Sequence, residues 1–367
     1  MVRVIILSIR NTGIFGGGDV HIDRLATTYQ EKFGAKISRI MLPFPNKEFN
    51  ALSNIISLAK AIVLPFDKNY KEFPGIDIIV APNPYPNYLI FALKVSKLVG
   101  GYPVIYFHHL SLSLRFIRRR GILRCFMNYS LNILSLTLCK ILDVPIFLDN
   151  PSIYNLKGFD VFKDEDAPDE FIDSKNFGLK KEFTICYIGR FEKHKGALDM
   201  LNVVQILKRN KMNVRVAIVG YINERFQRKV YKILKTYNLN ENFIFFGTLD
   251  NVAKLKILSS SNIYLHLSYE EGWGMSVMDA AYAGIPIVAY NLPAYSYLEG
   301  KYNAVSVGNV NQAANMIENV LSNYSDAVSL AKEAKKIVGR YNYLDIGRYQ
   351  IECYEKIIKK RARFKSD

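Results

Sequence analysis

The sequence predicts an α/β protein built as two units, each a parallel sheet with crossover helices. Three observations carry this prediction. Short β-branched runs alternate with helical stretches through the first half, the alternation restarts after residue 180, and 367 residues correspond to two domains at roughly 100–200 residues each. Half of the residues are apolar and 13% aromatic, which fills two cores and excludes a disordered or fibrous chain.

Taken in order, Val2–Ser8 is apolar for a strand's length and Val20–Phe33 has helical periodicity. Ile76–Ala81 followed by Tyr88–Leu98, and Val104–Phe107 followed by a long helical segment ending near Leu142, repeat that unit, with a further strand at Val144–Leu148. Asp149–Lys181 is rich in Asp, Lys, Pro and Gly without sustained periodicity, so it reads as a linker or hinge, with the domain boundary near residue 175. The second unit predicts strands at Phe183–Ile188, Val214–Val219, Phe243–Phe246, Ile263–His266 and Ile287–Ala289. Helices are expected at Leu198–Lys208, Arg225–Tyr237, Val252–Leu258 and Ser276–Ala283. Tyr341–Phe364 reads as an amphipathic helix with Tyr349, Cys353 and Ile357 four residues apart, and six Lys or Arg lie between Lys356 and Lys365. The expected domains are therefore 1–175, 176–340 and a helical basic tail at 341–367.

The formal net charge of +16 attracts polyanions: nucleotide phosphates, nucleic acid or an anionic membrane surface. Cys125, Cys139, Cys186 and Cys353 lie far apart with no CxxC pair, so they read as buried thiols of a reduced compartment and not as zinc ligands or a disulfide framework. Met1–Ile9 lacks the longer apolar stretch and cleavage site of a secretory signal, which points to the cytoplasmic side. The uncharged run Cys125–Cys139 contains five polar residues and falls short of the roughly 20 residues needed to span a bilayer, so no transmembrane anchor is expected.

Three segments carry chemistry. Gly16-Gly17-Gly18 lies between the first predicted strand and its helix, either as a tight turn or as a loop bringing backbone N–H groups to a ligand; it is not the GxGxxG of a dinucleotide fold. Arg190 and Lys195 follow the strand Phe183–Ile188 on the side where ligands bind open α/β sheets, and would converge on an anion; otherwise they are a solvated charged loop. Gly272 and Gly274 loosen the loop after Ile263–His266, Ser276 is the expected N-cap of the next helix, and the N–H groups of Gly274, Met275 and Ser276 form an anion site. Glu271 and Asp279 flank that end. Two acids beside an anion site fit hydrogen bonds from sugar hydroxyls better than phosphate contacts, the bland alternative for Asp279 being an exposed helix residue.

The run Glu271-Gly-Trp-Gly through Asp279-Ala-Ala-Tyr-Ala-Gly-Ile-Pro-Ile-Val-Ala resembles the E-G-F-G-x4-E-A-x-A-x-G-x-P-V-V-A signature of family 4 glycosyltransferases. Tyr187-Ile-Gly-Arg190-Phe-Glu-Lys-His-Lys195-Gly is similar to their Y-V-G-R-x4-K-G segment, Gly17-Gly18-x2-His21-x3-Leu25-Ala26 to their N-terminal loop and helix, and Val104–His109 to the strand ending in a catalytic-loop His. The resemblance spans about residues 10–300 and is strongest over 185–290. It implies a GT-B fold, with two Rossmann-like domains facing a cleft and a C-terminal helix crossing back to the first domain. It also implies retaining transfer of a sugar from a nucleotide-diphosphate donor to a hydroxyl, with the departing phosphate accepting the acceptor proton.

Carried over, the resemblance places Arg190, Lys195 and the backbone of Gly274, Met275 and Ser276 on the diphosphate, Glu271 on the sugar, Asp279 on the ribose, and Gly17 and Gly18 on the donor from the other domain. Either His108 or His109 lies near the anomeric carbon. The family has Glu where Asp279 stands, and an N-G-V-D turn where this chain offers at best Lys157-Gly158-Phe159-Asp160. Fixed cations stabilise the leaving group, and with no DxD-like pair in a metal-ligand context the site is expected to need neither metal nor cofactor beyond the donor. Arg115, Arg118, Arg119, Arg120 and Arg124 alternate with large apolar residues and are expected to bind an anionic leaflet, making a peripheral enzyme on the inner face of the cell membrane that acts on a glycan or lipid-linked acceptor. The competing readings are a nucleotide-sugar epimerase of the same fold and a basic nucleic-acid-binding protein, although no nucleic-acid motif accompanies the charge.

Overall fold

The computed structural model describes residues 2–9, 17–42, 58–62, 73, 75–108, 110, 122–149, 151, 154–168 and 180–363. The chain forms two compact units, one of Met1–Asp166 with Tyr343–Asp367 and one of Ala167–Asn342. The boundary expected at residue 175 falls outside the described residues.

The first unit is a six-stranded sheet of β1 (Arg3–Ile9), β2 (Lys36–Leu42), β3 (Ile78–Ala81), β4 (Tyr102–Phe107), β5 (Ile146–Leu148) and β6 (Val161–Lys163), in the order β2-β1-β3-β4-β5-β6 and parallel throughout. Strands covered on both faces need unbroken apolar runs, and Val4–Leu7, Ile78–Ala81 and Val104–Phe107 are buried throughout. Strand β2 escaped the sequence reading because Lys36, Ser38 and Arg39 interrupt its apolar pattern, as an edge position allows. Helices α1 (Gly17–Phe33), α2 (Pro86–Val99) and α3 (Ile122–Ile141) connect the strands.

Part of the expected linker belongs to this sheet: β6 pairs with β5, and the Asp164 N–H donates to Leu148 O at 2.9 Å. Three residues are too few to show a strand's periodicity. The turn expected at Lys157-Gly158-Phe159-Asp160 closes one residue earlier, with the Phe159 N–H donating to Leu156 O. The C-terminal helix Tyr343–Arg363 packs against α1, where Gly347 sits beside Thr28 and Phe33. Its buried face holds Ile346, Gln350, Cys353, Tyr354 and Ile357; of the expected stripe Cys353 and Ile357 are buried and Tyr349 is exposed, Gln350 taking the inward place beside it.

The second unit is a parallel sheet in the order β12-β11-β10-β7-β8-β9. Its strands are β7 (Phe183–Ile188), β8 (Val216–Val219), β9 (Phe243–Gly247), β10 (Ser261–His266), β11 (Ile287–Tyr290) and β12 (Asn303–Val305). The order reverses between β7 and β10, and crevices outside the carboxyl ends at such a point are where open α/β sheets bind ligands. Helices α4 (Ala197–Arg209), α5 (Glu224–Thr236), α6 (Asn251–Ser259), α7 (Met275–Tyr282), α8 (Val310–Ser322) and α9 (Tyr324–Val338) cover it. Trp273, Met278, Tyr295 and Tyr297 pack into the core beneath the loop that precedes α7.

Candidate active site

The loops after β7 and β10 meet at that reversal. Gly196 lies between Lys195 and α4 with φ +79°, and a Cβ there would stand 1.9 Å from Leu267 O. Glycine alone lets the β7 loop press onto the end of β10. Lys195 Nζ therefore reaches both oxygens of Glu271, each at 2.8 Å, and His266 Nε2 approaches Glu271 Oε1 at 2.9 Å. Burial alone would raise the Glu271 pKa, but the Lys195 ammonium and His266 outweigh it and hold the carboxyl well below its ordinary range. Glu271 is a fixed negative charge. The Arg190 guanidinium, one third exposed, pairs with Glu192 at 3.2 Å, and His194 approaches the other Glu192 oxygen at 3.1 Å.

Helix α7 starts at Met275 and its N-cap is Gly274, in the left-handed region at φ +86°. The expected N-cap, Ser276, is instead the second helical residue, because the chain turns at the glycine. Gly274, Met275 and Ser276 still open the helix, where the Val277 and Met278 N–H groups both donate to Gly274 O, at 2.8 and 3.1 Å; a helix N-terminus of this kind suits an anion. Asp279, one turn on, is 6% exposed and pairs with Lys254 of α6 at 3.1 Å, which overturns the exposed-residue alternative. Glu271 and Asp279 thus belong to two separate ion pairs.

In the first unit His108 follows β4, and a Cβ on Gly18 would stand 2.4 Å from His108 Cδ2, so the glycine clears room for the imidazole over the first turn of α1. His108 Nδ1 lies 3.4 Å from Asp164 Oδ2 and 3.7 Å from Asp149 Oδ1. His21 Nε2 lies 3.0 Å from Asp164 Oδ1, and its Nδ1 3.3 Å from Asp166. Burial would lower both imidazole pKa values; the carboxylates reverse this, taking His21 well above its ordinary value and His108 to about 9. Burial pushes Asp149 up to about 7 against the pull of His108, whereas His21 and His108 hold Asp164 well below its ordinary value despite its burial.

The ring nitrogens of His21 and His108 and an oxygen of Asp164 lie within 4.8 Å of one another, close enough for a metal ion. The same atoms are also within ion-pair distance, His21 Nε2 at 3.0 Å and His108 Nδ1 at 3.4 Å from Asp164.

His109, Gly16, Arg115, Arg118, Arg119 and Arg120 lie outside the described residues, as does the side chain of Arg124 in α3; Gly17 is the first residue of α1. Sequence reasoning missed His266, Lys254, Asp149 and Asp164 as site residues, and cited His21 only within a pattern. The position of His266 at the end of a predicted strand could have exposed it. Asp164 stands in an Asp-Glu-Asp run inside the stretch read as linker.

Residues 169–337 match the family Glycosyl transferases group 1. A capsular polysaccharide biosynthesis glycosyltransferase, CapH, of Staphylococcus aureus is 30% identical over 32% of this chain and 33% of its own length. An uncharacterized glycosyltransferase of Methanocaldococcus jannaschii is 31% identical over 38% of this chain and 35% of its own. The matches thus span about a third of these relatives. Among solved structures, sucrose-phosphate synthase from Thermosynechococcus elongatus superposes with a TM-score of 0.77 at 16% identity, covering 98% of this chain and 100% of its own. Anabaena HepE in complex with UDP and glucose gives 0.70 at 14% identity, covering 97% and 100%. The chain therefore has the GT-B fold, and its second unit carries the match to the group 1 glycosyltransferases.

Proposed function

We propose that the protein is a retaining, family 4 glycosyltransferase that moves a sugar from a nucleotide-diphosphate sugar to a hydroxyl of a glycan or lipid-linked acceptor, without a metal. The observation that carries this reading is the Lys195–Glu271–His266 cluster at the reversal of the second sheet, beside the open end of α7. As the glycosidic bond breaks, negative charge grows on the diphosphate; Lys195, Arg190 and the α7 N–H groups supply positive charge there, while the Glu271 carboxylate faces the electron-poor sugar. Asp279 takes the ribose hydroxyls, and Gly18 and His108 serve from the first unit. The comparisons do not favour the epimerase or nucleic-acid alternatives.

HepE holds UDP and glucose, so a UDP-sugar is the first donor to test. A donor at 100 times its Kd should stabilise the protein by about 2.7 kcal/mol. Thermal shift against a panel of nucleotide sugars, followed by NMR of the product's anomeric proton, checks both donor and retention; no shift with any nucleotide sugar rejects the reading. Full turnover in excess chelator is expected, and its loss would reject metal independence.

Membrane attachment is supported by α3, where Phe126, Ile133, Leu134 and Ile141 are all exposed along one side. Among the described residues no helix is long and apolar enough to cross a membrane. A peripheral site of this kind should sediment with vesicles in proportion to their anionic lipid and be released by salt; indifference to lipid charge rejects it.

A further inference from the structure

The C-terminal helix carries a fully buried amide into the first unit, and the hydrogen bonds there run in one direction. Tyr106 donates to Gln350 Oε1 at 2.8 Å, and Tyr29 donates to the same oxygen. Since the single Tyr106 proton is committed to Gln350, Tyr354 is the donor in the 2.6 Å contact between the Tyr354 and Tyr106 hydroxyls. With its oxygen so engaged, Gln350 presents Nε2 to Asp164 and donates to Oδ1 at 2.5 Å. Every proton of the chain Tyr354, Tyr106, Gln350 points toward Asp164, an arrangement that stabilises a negative charge at its end.

We propose that Asp164, fixed by Gln350, is the positioning residue of the first unit: it holds His108 by Nδ1 so that Nε2–H is presented to an oxygen of the sugar or acceptor. This rests on the glycosyltransferase reading of the site. His108 Nε2 is buried and, among the described residues, has no hydrogen-bond partner, the condition of a donor awaiting a ligand. Asp164 Oδ2 likewise has no hydrogen bond, and the 3.4 Å separation from Nδ1 is of the kind that shortens when substrate binds. Of the two acids facing His108, Asp164 is the nearer and the one that stays ionised at neutral pH; burial makes Asp149 titrate near 7.

The remaining groups around the imidazole are His21 of α1, with ring centroids 5.5 Å apart, and Tyr106 of β4, at 5.8 Å. His21 in turn faces Asp166 and the Tyr343 ring of the C-terminal helix, over which the Arg24 guanidinium lies. Removing the Asp164 charge leaves His108 with Asp149 and the cationic His21, so its proton is released at lower pH.

The test follows the His108 ring nitrogens of the full chain by NMR across pH, in wild type, Asp164→Asn and Gln350→Leu, with the signal assigned through His108→Gln. The expected result is a His108 midpoint lowered by about one pH unit or more in Asp164→Asn and by less in Gln350→Leu. The high-pH limb of kcat should move down by the same amount while donor KM changes less than about threefold. An unmoved midpoint in Asp164→Asn overturns the proposal, as does a lowered midpoint with the kcat limb unmoved. If Asp164→Asn does not fold, Gln350→Leu decides by the same two readings. The titration needs no substrate, so a chain that transfers no sugar fails the functional reading while the Asp164–His108 coupling is still judged.

Discussion

Each unit sets an imidazole and a carboxylate at the carboxyl end of a strand, but the two clusters hold opposite charges. In the first unit Asp149, Asp164 and Asp166 surround His21 and His108 and keep protons on the imidazoles. In the second, Lys195 and His266 close on Glu271 and keep its carboxyl ionised. One cluster stores a proton; the other stores a negative charge. The difference comes from which partner is in excess.

The most direct way to break this contrast is to remove the cation of the second cluster. If its charge serves the leaving group as well as Glu271, Lys195→Ala lowers kcat about a hundredfold or more. If Lys195 only neutralises Glu271, the double variant Lys195→Ala/Glu271→Gln recovers thermal stability and activity together. Recovery of stability alone, with activity still lost, supports the electrostatic role.

A change of pH should separate the units without mutation. The His108 pKa is raised in the folded state, so its contribution is complete below about pH 6.5 and disappears as pH rises through about 9. Asp149, raised to about 7, adds a cost in the same direction once it must ionise. Glu271 is depressed, so its contribution is present above the ordinary carboxylate range and disappears only as pH falls below it. Between pH 6 and 9.5 amide protection, corrected for intrinsic rate, is expected to fall about tenfold or more in β4 and β6 and to stay constant in β7 and β10. Equal losses in both units would show that the contrast between the clusters does not govern stability.

The two clusters also differ in how far the sequence displayed them. Lys195, Glu271 and Asp279 stand in two short runs whose spacing is itself informative, and the strands before them are long enough to show their period. Asp164 follows a three-residue strand inside a stretch of Asp, Lys and Pro that reads as linker, and its partners His21, His108 and Gln350 come from distant segments. Only the assembled sheet brings them together. Local errors had local causes: Gly274 takes the cap expected of Ser276 because the turn needs a left-handed residue, and Gln350 faces inward where its neighbour Tyr349 was expected.

Gly18 links helix α1 to the first cluster. Gly18→Ala places a methyl against His108 Cδ2, and the imidazole must swing away from Asp164 to admit it. The expected loss is about tenfold in kcat with about 1–3 kcal/mol of stability, read by steady-state kinetics and thermal unfolding. Unchanged kinetics would mean that the position of His108 is not critical.

The smallest effect is expected at Asp279, which the Lys254 ion pair gives two separable roles. If Asp279 holds the ribose, Asp279→Asn keeps a hydrogen-bond acceptor but loses its charge, and donor KM should rise about fivefold with kcat unchanged, because the ribose is bound equally in the ground and transition states. If its role is only to neutralise Lys254, the double variant Asp279→Leu/Lys254→Met should fold as well as wild type and bind donor as tightly, since an ion pair replaced by apolar side chains of similar volume is often neutral. Donor affinity measured by calorimetry in the double variant decides between them. A weakened donor in a stable double variant assigns Asp279 to the ligand, and unchanged affinity assigns it to Lys254.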